Sequence, residues 1–310
     1  MKSWINGFAA LVALGALVAC DSSDEDHAPP PGNIVEVAQS NGLSSLAAAA
    51  TKAGLVTTLT NPSATLTVFA PTNAAFDTLA VRLGFANGGA MVTALPASAL
   101  ASILSYHVLP ARRSAAELVA GGTSQATVYS FEGAPTRLSL NTSSGVVITD
   151  AVLTTARVAT ADVPASNGVV HVIDKVLVPP GVLNIVQMAQ ANPIFSSLVK
   201  AVGDASLVTA LTGAGPLTVF APTNDAFAAI STTVASLTVP QLTTVLTYHV
   251  LGSQVLSSGI PFGTPVNTLI NSTPLGITDT TTTAAPIIAT DVRASNGVIH
   301  VISKVLLPTL

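Results

Sequence analysis

The chain has one cysteine, Cys20, in 310 residues. A second thiol is missing, so no intrachain disulfide is possible. Stability outside a reducing compartment has to come from packing alone. Charge is also scarce. Only 8% of residues are Asp, Glu, Lys or Arg, with a formal net charge of −4. No basic patch is present, which excludes nucleic-acid binding and long-range steering of a charged partner. Aromatic residues make up 4% and tryptophan occurs once, at Trp4. The core is therefore expected to be aliphatic. After the N-terminus no uninterrupted apolar run reaches the roughly 18 residues that a membrane-spanning helix needs. What the chain does have is Ala, Val, Leu and Thr, with 49% hydrophobic residues overall.

The first twenty residues stand apart. Lys2 gives a positive start, and Ile5 to Val18 form a short apolar stretch. Leu17-Val18-Ala19-Cys20 closes the segment. This pattern predicts a secretory signal over residues 1–20, excluded from the fold. Its ending resembles the bacterial lipobox, in which the signal is cut before a cysteine that then receives a diacylglycerol. Cys20 is the expected lipid-attachment site. The expected location is the cell envelope, with a membrane partner reached through the lipid anchor. One acyl chain holds only marginally, at about 0.8 kcal/mol per buried methylene, so durable tethering takes two or three chains. Residues 21–32, DSSDEDHAPPPG, then read as a flexible tether. Acidic and Ser-rich residues cannot bury a core, and prolines keep the chain extended.

The rest of the sequence says most things twice. LTVFAPTNAAF, Leu66 to Phe76, returns 151 residues later as LTVFAPTNDAF, Leu217 to Phe227, with ten of eleven letters identical. NIVEVAQSN from Asn33 returns as NIVQMAQAN from Asn184 at the same offset. SYHVL, Ser105 to Leu109, matches TYHVL, Thr247 to Leu251, at offset 142. ASNGVVHVIDKVLVP, Ala165 to Pro179, matches ASNGVIHVISKVLLP, Ala294 to Pro308, at offset 129. Nine and then thirteen residues drop out of the second copy. Losses of that kind belong in surface loops, so the repeat unit is a whole domain. The boundaries read from the blocks are 33–179 and 182–310, joined by Pro179-Pro180-Gly181. A linker this short predicts a restricted relative orientation.

Each block encodes a joint. Leu66 to Ala70 has the pattern of a buried strand, and Pro71 ends it because proline cannot donate to a ladder. Thr72 or Asn73 is placed to cap a helix that follows with Ala74, Ala75, Phe76 and Leu79 as its apolar stripe. Thr223 and Asn224 repeat the cap. Asn167-Gly168 and Asn296-Gly297 are expected to form tight turns at positive φ. The runs Val169 to Ile173 and Val298 to Ile302 read as strands. The segment from Asn33 to Gly54 has helical spacing, as does Ile185 to Val202. Leu100 to Tyr106 and Leu242 to Tyr248 are helix candidates. Gly88-Gly89 and Gly121-Gly122 read as flexible turns.

These blocks, in this order and twice over, resemble the fasciclin domain family. The resemblance implies an α+β fold of two tandem fasciclin-like domains, each a β-wedge or sandwich packed beside a cluster of helices. It also implies adhesion, with a surface protein or polysaccharide as the ligand. Animal members of the family have integrin binding linked to the region of the Tyr-His pair. The flanks of that pair here, Ile103-Leu104-Ser105 and Val108-Leu109-Pro110, look like core, so that activity is not carried over.

Candidate chemistry rests on four histidines that recur in pairs, His107 with His249 and His171 with His300. Tyr106 and Tyr248 precede the first pair. A Ser-His-Asp site needs an exposed nucleophile, and no GxSxG elbow, HExxH helix or paired-carboxylate signature occurs. A metal site needs three or four convergent ligands, and the repeated acids are few, chiefly Asp162 with Asp291. No cofactor and no enzymatic activity are expected. The histidines are expected to be structural. His107 is expected to reach Thr72 or Asn73 by hydrogen bond or close packing, and His249 to do the same with Thr223 or Asn224. Asn141-Thr142-Ser143 and Asn271-Ser272-Thr273 match glycosylation sequons and are read as loop residues. Arg112-Arg113 reads as a solvated loop, and Thr278 to Thr283 as an edge strand or loop. An alternative function from another class is a carrier of a small apolar or carbohydrate ligand in the envelope.

Overall fold

The computed structural model describes residues 30–143, 145–260, 265–269, 275–276 and 285–308. Cys20, most of the tether, the second sequon and the Thr278 to Thr283 run lie outside the described residues. Pro31–Leu310 forms one compact unit.

In the first half the helices are α1 (Ile34–Ser40), α2 (Ser44–Lys52), α3 (Val56–Leu59), α4 (Asn73–Arg82), α5 (Gly88–Ala94), α6 (Ala97–Tyr106) and α7 (Ala115–Ala120). The strands are β1 (Leu66–Pro71), β2 (Val108–Leu109), β3 (Ser124–Phe131), β4 (Ala134–Asn141), β5 (Val147–Thr149), β6 (Thr155–Ala165) and β7 (Gly168–Ile173). They form one sheet in the order β2-β1-β7-β6-β5-β4-β3. In the second half the helices are α8 (Ile185–Ala191), α9 (Ser196–Asp204), α10 (Val208–Thr212), α11 (Asn224–Ala228), α12 (Ser231–Ser236) and α13 (Val239–Tyr248). The strands are β8 (Leu217–Pro222), β9 (Val250–Leu251), β10 (Pro265–Val266), β11 (Leu275–Gly276), β12 (Ile287–Ala294) and β13 (Gly297–Ile302). The sheet order β12-β13-β8-β9 repeats β6-β7-β1-β2. The two halves keep separate sheets.

The repeated blocks meet at the centre of each sheet. β1 and β7 run parallel, with Phe69 opposite His171, and β8 and β13 run parallel, with Phe220 opposite His300. The mostly apolar run of β1 follows from covering both of its faces. Val68 and Ala70 face the helices, and Phe69 faces the interior of the curled sheet. Tyr106, Leu138, Ile148 and Leu177 fill that interior with it.

The helix after each strand is capped as its letters require. Thr72 accepts from Ala75 N at 3.1 Å, and Thr223 accepts from Ala226 N at 3.3 Å. The capping residue is thus the threonine. Asn73 and Asn224 serve elsewhere, accepting from Ser45 N and Ser197 N, both at 2.9 Å. They lock the α1–α2 and α8–α9 corners onto the joint.

Three local expectations change. The segment from Asn33 is two helices, broken at Asn41-Gly42, and its counterpart breaks before Pro193. Folding each segment back lets its second half pack on the joint. Gly88-Gly89 opens α5 rather than forming a turn, because Asn87 caps that helix through Ala90 N. Asn167-Gly168 is not a positive-φ turn. The turn residues are Ser166 and Asn167, and neither Asn167 nor Gly168 has positive φ. In the second copy Gly297 does have positive φ, at 157°, and in both copies glycine is required by close approach. A Cβ at Gly168 would lie 2.2 Å from Leu66 O, and one at Gly297 2.1 Å from Leu217 O.

Candidate functional site

Both members of each histidine pair are buried, between 0% and 2% exposed. His107 ends α6, and its Nδ1 lies 2.7 Å from Ile103 O in the preceding turn. Its Nε2 accepts from Leu177 N at 2.9 Å. One nitrogen donates and the other accepts, which fixes the neutral Nδ1–H tautomer. His249 repeats this with Val245 O at 2.7 Å and Leu306 N at 2.9 Å. Burial away from water pushes both imidazoles down to about 4, against partial compensation from the helix carbonyl. The expected bond to Thr72 or Asn73 is therefore corrected. Those side chains are committed to the cap and the corner, and the ring instead accepts from a backbone N–H inside the end block, just after β7. The link still ties α6 to the joint, because His107 O accepts from Phe69 N of β1 at 2.9 Å.

His171 sits on the other face of the joint. Its ring stacks on Phe69 at 5.7 Å between centroids, and His300 lies 5.5 Å from Phe220. Nε2 of His171 donates to Arg113 O at 2.9 Å, and Nδ1 accepts from Asp162 N at 3.2 Å. His300 binds Val255 O at 2.8 Å and Asp291 N at 3.4 Å. The repeated acids act through other atoms. Asp162 accepts from Ala115 N, and Asp291 accepts from Ser257 N and Ser257 Oγ. Thr67 and Thr218 finish the clamp. Thr67 Oγ1 donates to Ala111 O and accepts from Arg113 N, and Thr218 Oγ1 does the same with Ser253 O and Val255 N. Side chains from three strands thus hold the loop after β2, and again the loop after β9. Neither histidine has a ring nitrogen free to take a substrate proton. Among the described residues no group of three or more His, Cys, Asp or Glu could hold a metal ion.

Tyr106 is buried, 2% exposed, edge-on to Tyr129. Burial raises its hydroxyl pKa, and the nearby Asp150 adds to the effect. Asp150 is itself 4% exposed and pushed up to about 6 by burial. It accepts from Thr154 N, Thr154 Oγ1 and Val178 N at 2.8, 3.1 and 3.0 Å. Tyr248 is half-buried at the matching place.

Sequence reasoning noticed Asn167 and Asn296 only as turn residues. The structure makes them hubs. Asn167 is 2% exposed. Its Oδ1 accepts from Ile34 N at 3.0 Å, and its Nδ2 donates to Leu59 O at 2.7 Å and Asn61 O at 3.1 Å. Asn296 repeats this with Ile185 N, Leu211 O and Gly213 O. Each ties the start of its repeat to the end block. The only sequence signal was their exact place in the repeat.

The seam between the halves is built mostly from residues that do not repeat, Asn192 being the exception because it matches Asn41. Arg293 stacks on Phe131, 5.4 Å from the ring centroid, and pairs with Glu132. Tyr129 Oη donates to Pro180 O at 3.0 Å. Arg82 Nη1 donates to Ala191 O at 2.9 Å, and Asn192 Nδ2 to Val152 O at 2.7 Å. Gly181 has φ 75°, and a Cβ there would lie 2.1 Å from the Phe131 ring. The helix-side cores of both halves run together as one apolar cluster from Ile34 to Val305.

Two parallel joints, each flanked by buried histidines, define the class. The chain belongs to the fasciclin domain family, whose family model matches residues 41–179 and again 193–308. Protein sll1483 of Synechocystis sp. is 43% identical over 135 residues, covering 41% of this chain and 75% of that protein. Transforming growth factor-beta-induced protein ig-h3 of Sus scrofa is 38% identical over 160 residues, covering 49% of this chain and 23% of that protein. A solved domain pair from the insect cell adhesion molecule fasciclin I covers 88% of this chain and 95% of that chain, at 18% identity and a TM-score of 0.40. No described helix is long and apolar enough to cross a membrane.

Proposed function

We propose that this protein is an envelope-anchored, non-enzymatic binding protein that displays two fasciclin domains for adhesion, with Cys20 as its lipid attachment site. One observation carries the reading. The polar residues shared by the two halves are spent on internal hydrogen bonds, so recognition falls to the surfaces that vary. The seam supports it as well. Two modules held in a fixed orientation present two contacts at once, and a linked second contact acts at an effective concentration near millimolar. Deletion of the gene should reduce surface attachment or aggregation of the cells. A pull-down with the chain against envelope extracts and polysaccharides should capture a surface ligand. Cys20→Ser should abolish labelling by a palmitate analogue and release the protein from membranes.

The carrier reading ranks second. It draws on an open groove of about 640 Å³ in the second half, lined partly by Lys200, Asp204 and Asn224. Those groups are already paired, Lys200 with Asp204 at 2.5 Å and Asn224 with Ser197 N and Pro193 O. A site for a polar ligand would leave such groups convergent and unpaired. Unchanged attachment together with loss of a bound metabolite would reverse the ranking.

A further inference from the structure

A small cleft of about 20 Å³ opens at the seam, lined by Arg82, Lys175, Thr78, Thr154 and Ala191. Thr78 and Arg82 reach it from one stripe of α4, since residues four apart share a helix face. The chain carries 15 acids against 11 bases, yet both charges on this lining are positive. Arg82 and Lys175 are half-buried, and among the described residues neither pairs with a carboxylate. Arg82 Nη1 donates to Ala191 O of α8 at 2.9 Å, which aims the guanidinium and leaves its other N–H groups uncommitted. The nearby acids are engaged elsewhere. Asp150 accepts from Thr154 N, Thr154 Oγ1 and Val178 N. Asp77 accepts from Gly88 N and Asp174 from Arg157 N, both at 2.7 Å. The two threonines have spent their hydrogens, Thr78 Oγ1 on Ala74 O and Thr154 Oγ1 on Asp150 Oδ2. Each hydroxyl oxygen therefore offers the cleft an acceptor only. The second half does not repeat the arrangement. Lys304 matches Lys175, but α11 has five residues where α4 has ten, and no arginine follows it there.

We infer that this cleft binds one carboxylate of an acidic surface polysaccharide, that of a uronic acid unit. Arg82 and Lys175 hold the carboxylate, and Thr78 and Thr154 accept from the sugar hydroxyls beside it. Two cations without a carboxylate partner select an anion. A guanidinium with uncommitted N–H groups suits a planar carboxylate, which it can bind through two parallel bonds. The size of the cleft admits that group and leaves the sugar ring at the mouth. An acidic peptide side chain carries methylene groups next to its carboxylate and would leave both threonine oxygens unused. Ala191 belongs to the second half, so the arginine is aimed only when the two halves are docked. The inference rests on the adhesion reading and names the chemistry of its ligand. The two fail separately, because the cleft is tested by titration and adhesion by attachment of cells.

The test titrates the full chain with trigalacturonate by calorimetry at low salt. The expected result is saturable binding with a Kd of about 1 mM or below. Trigalactose, which has the ring hydroxyls without the carboxylates, should bind at least about tenfold more weakly. Arg82→Lys keeps the charge and loses the fork, and should weaken binding about fivefold. Lys175→Gln should weaken it by about the same factor. Circular dichroism of both variants should match the parent. Arg112→Gln, which removes an exposed cation outside the cleft, should leave binding unchanged. Absence of binding, equal binding of trigalactose, or binding untouched by both Arg82→Lys and Lys175→Gln would overturn the inference. Equal binding of a triglutamate peptide would overturn the assignment to a polysaccharide.

Discussion

Acid should destabilise this protein through His107 and His249. Both are held neutral, at about 4 in the fold against an ordinary value of 6.5. A depressed base contributes stability that is complete above 6.5 and is lost as pH falls toward 4. In that window the unfolded chain holds one more proton per histidine, so each costs about 1.4 kcal/mol per pH unit. Two histidines give roughly 2.7 kcal/mol per unit by that principle. Asp150 acts with the opposite sign. Its value is raised from 3.8 to about 6, so its contribution is complete below 3.8 and lost as pH rises through 6. It returns about 1.4 kcal/mol per unit between 6 and 4. The net loss is about 1.4 kcal/mol between pH 6.5 and 6, and the same per unit below, or about 4 kcal/mol by pH 4. Domains of this kind have roughly 5–15 kcal/mol to lose. The assay is urea unfolding followed by far-UV circular dichroism at several pH values from 7 to 4. His107→Gln should lower the acid slope by about 1.4 kcal/mol per unit. Stability that is flat or rises on acidification, or a slope untouched by His107→Gln, would refute the reasoning.

Three further outcomes follow from the geometry. Asn167→Ala removes three hydrogen bonds, two of them buried, and should cost about 3 kcal/mol in urea unfolding, with a smaller loss for Asn296→Ala, whose bonds are less buried; a loss below about 1 kcal/mol at Asn167 would contradict the hub. Gly168→Ala forces a Cβ onto Leu66 O and should cost about 2–4 kcal/mol. Gly203→Ala, which meets open space within α9, should instead stabilise by up to about 1 kcal/mol, and equal effects at the two sites would reject close approach as the cause. Arg293→Ala removes the Phe131 stack and the Glu132 pair, and should loosen the seam by about 1–2 kcal/mol. X-ray scattering would then report a larger radius of gyration, whereas an unchanged radius would place the seam's strength elsewhere.

The sequence by itself determined the units and their joints. A strand covered on both faces has to be apolar, a proline has to end it, and a threonine before a helix has to cap it. These are local requirements, so Leu66 to Phe76 states them and Leu217 to Phe227 states them again. The pairing of histidines was legible for the same reason, since identical folds keep identical interior letters. Their partners were not legible. A buried ring nitrogen bonds whichever backbone group packing brings to it, and for His107 that group is Leu177 N, 70 positions away. Asn167 reaches back 133 positions to Ile34, and Gly168 is glycine because a neighbouring strand's carbonyl passes too close. The seam and the groove were decided by tertiary structure alone. Arg293, Phe131 and Asp204 lie where the copies diverge, so no repeated pattern marks them, and only the packed chain brings them to their partners.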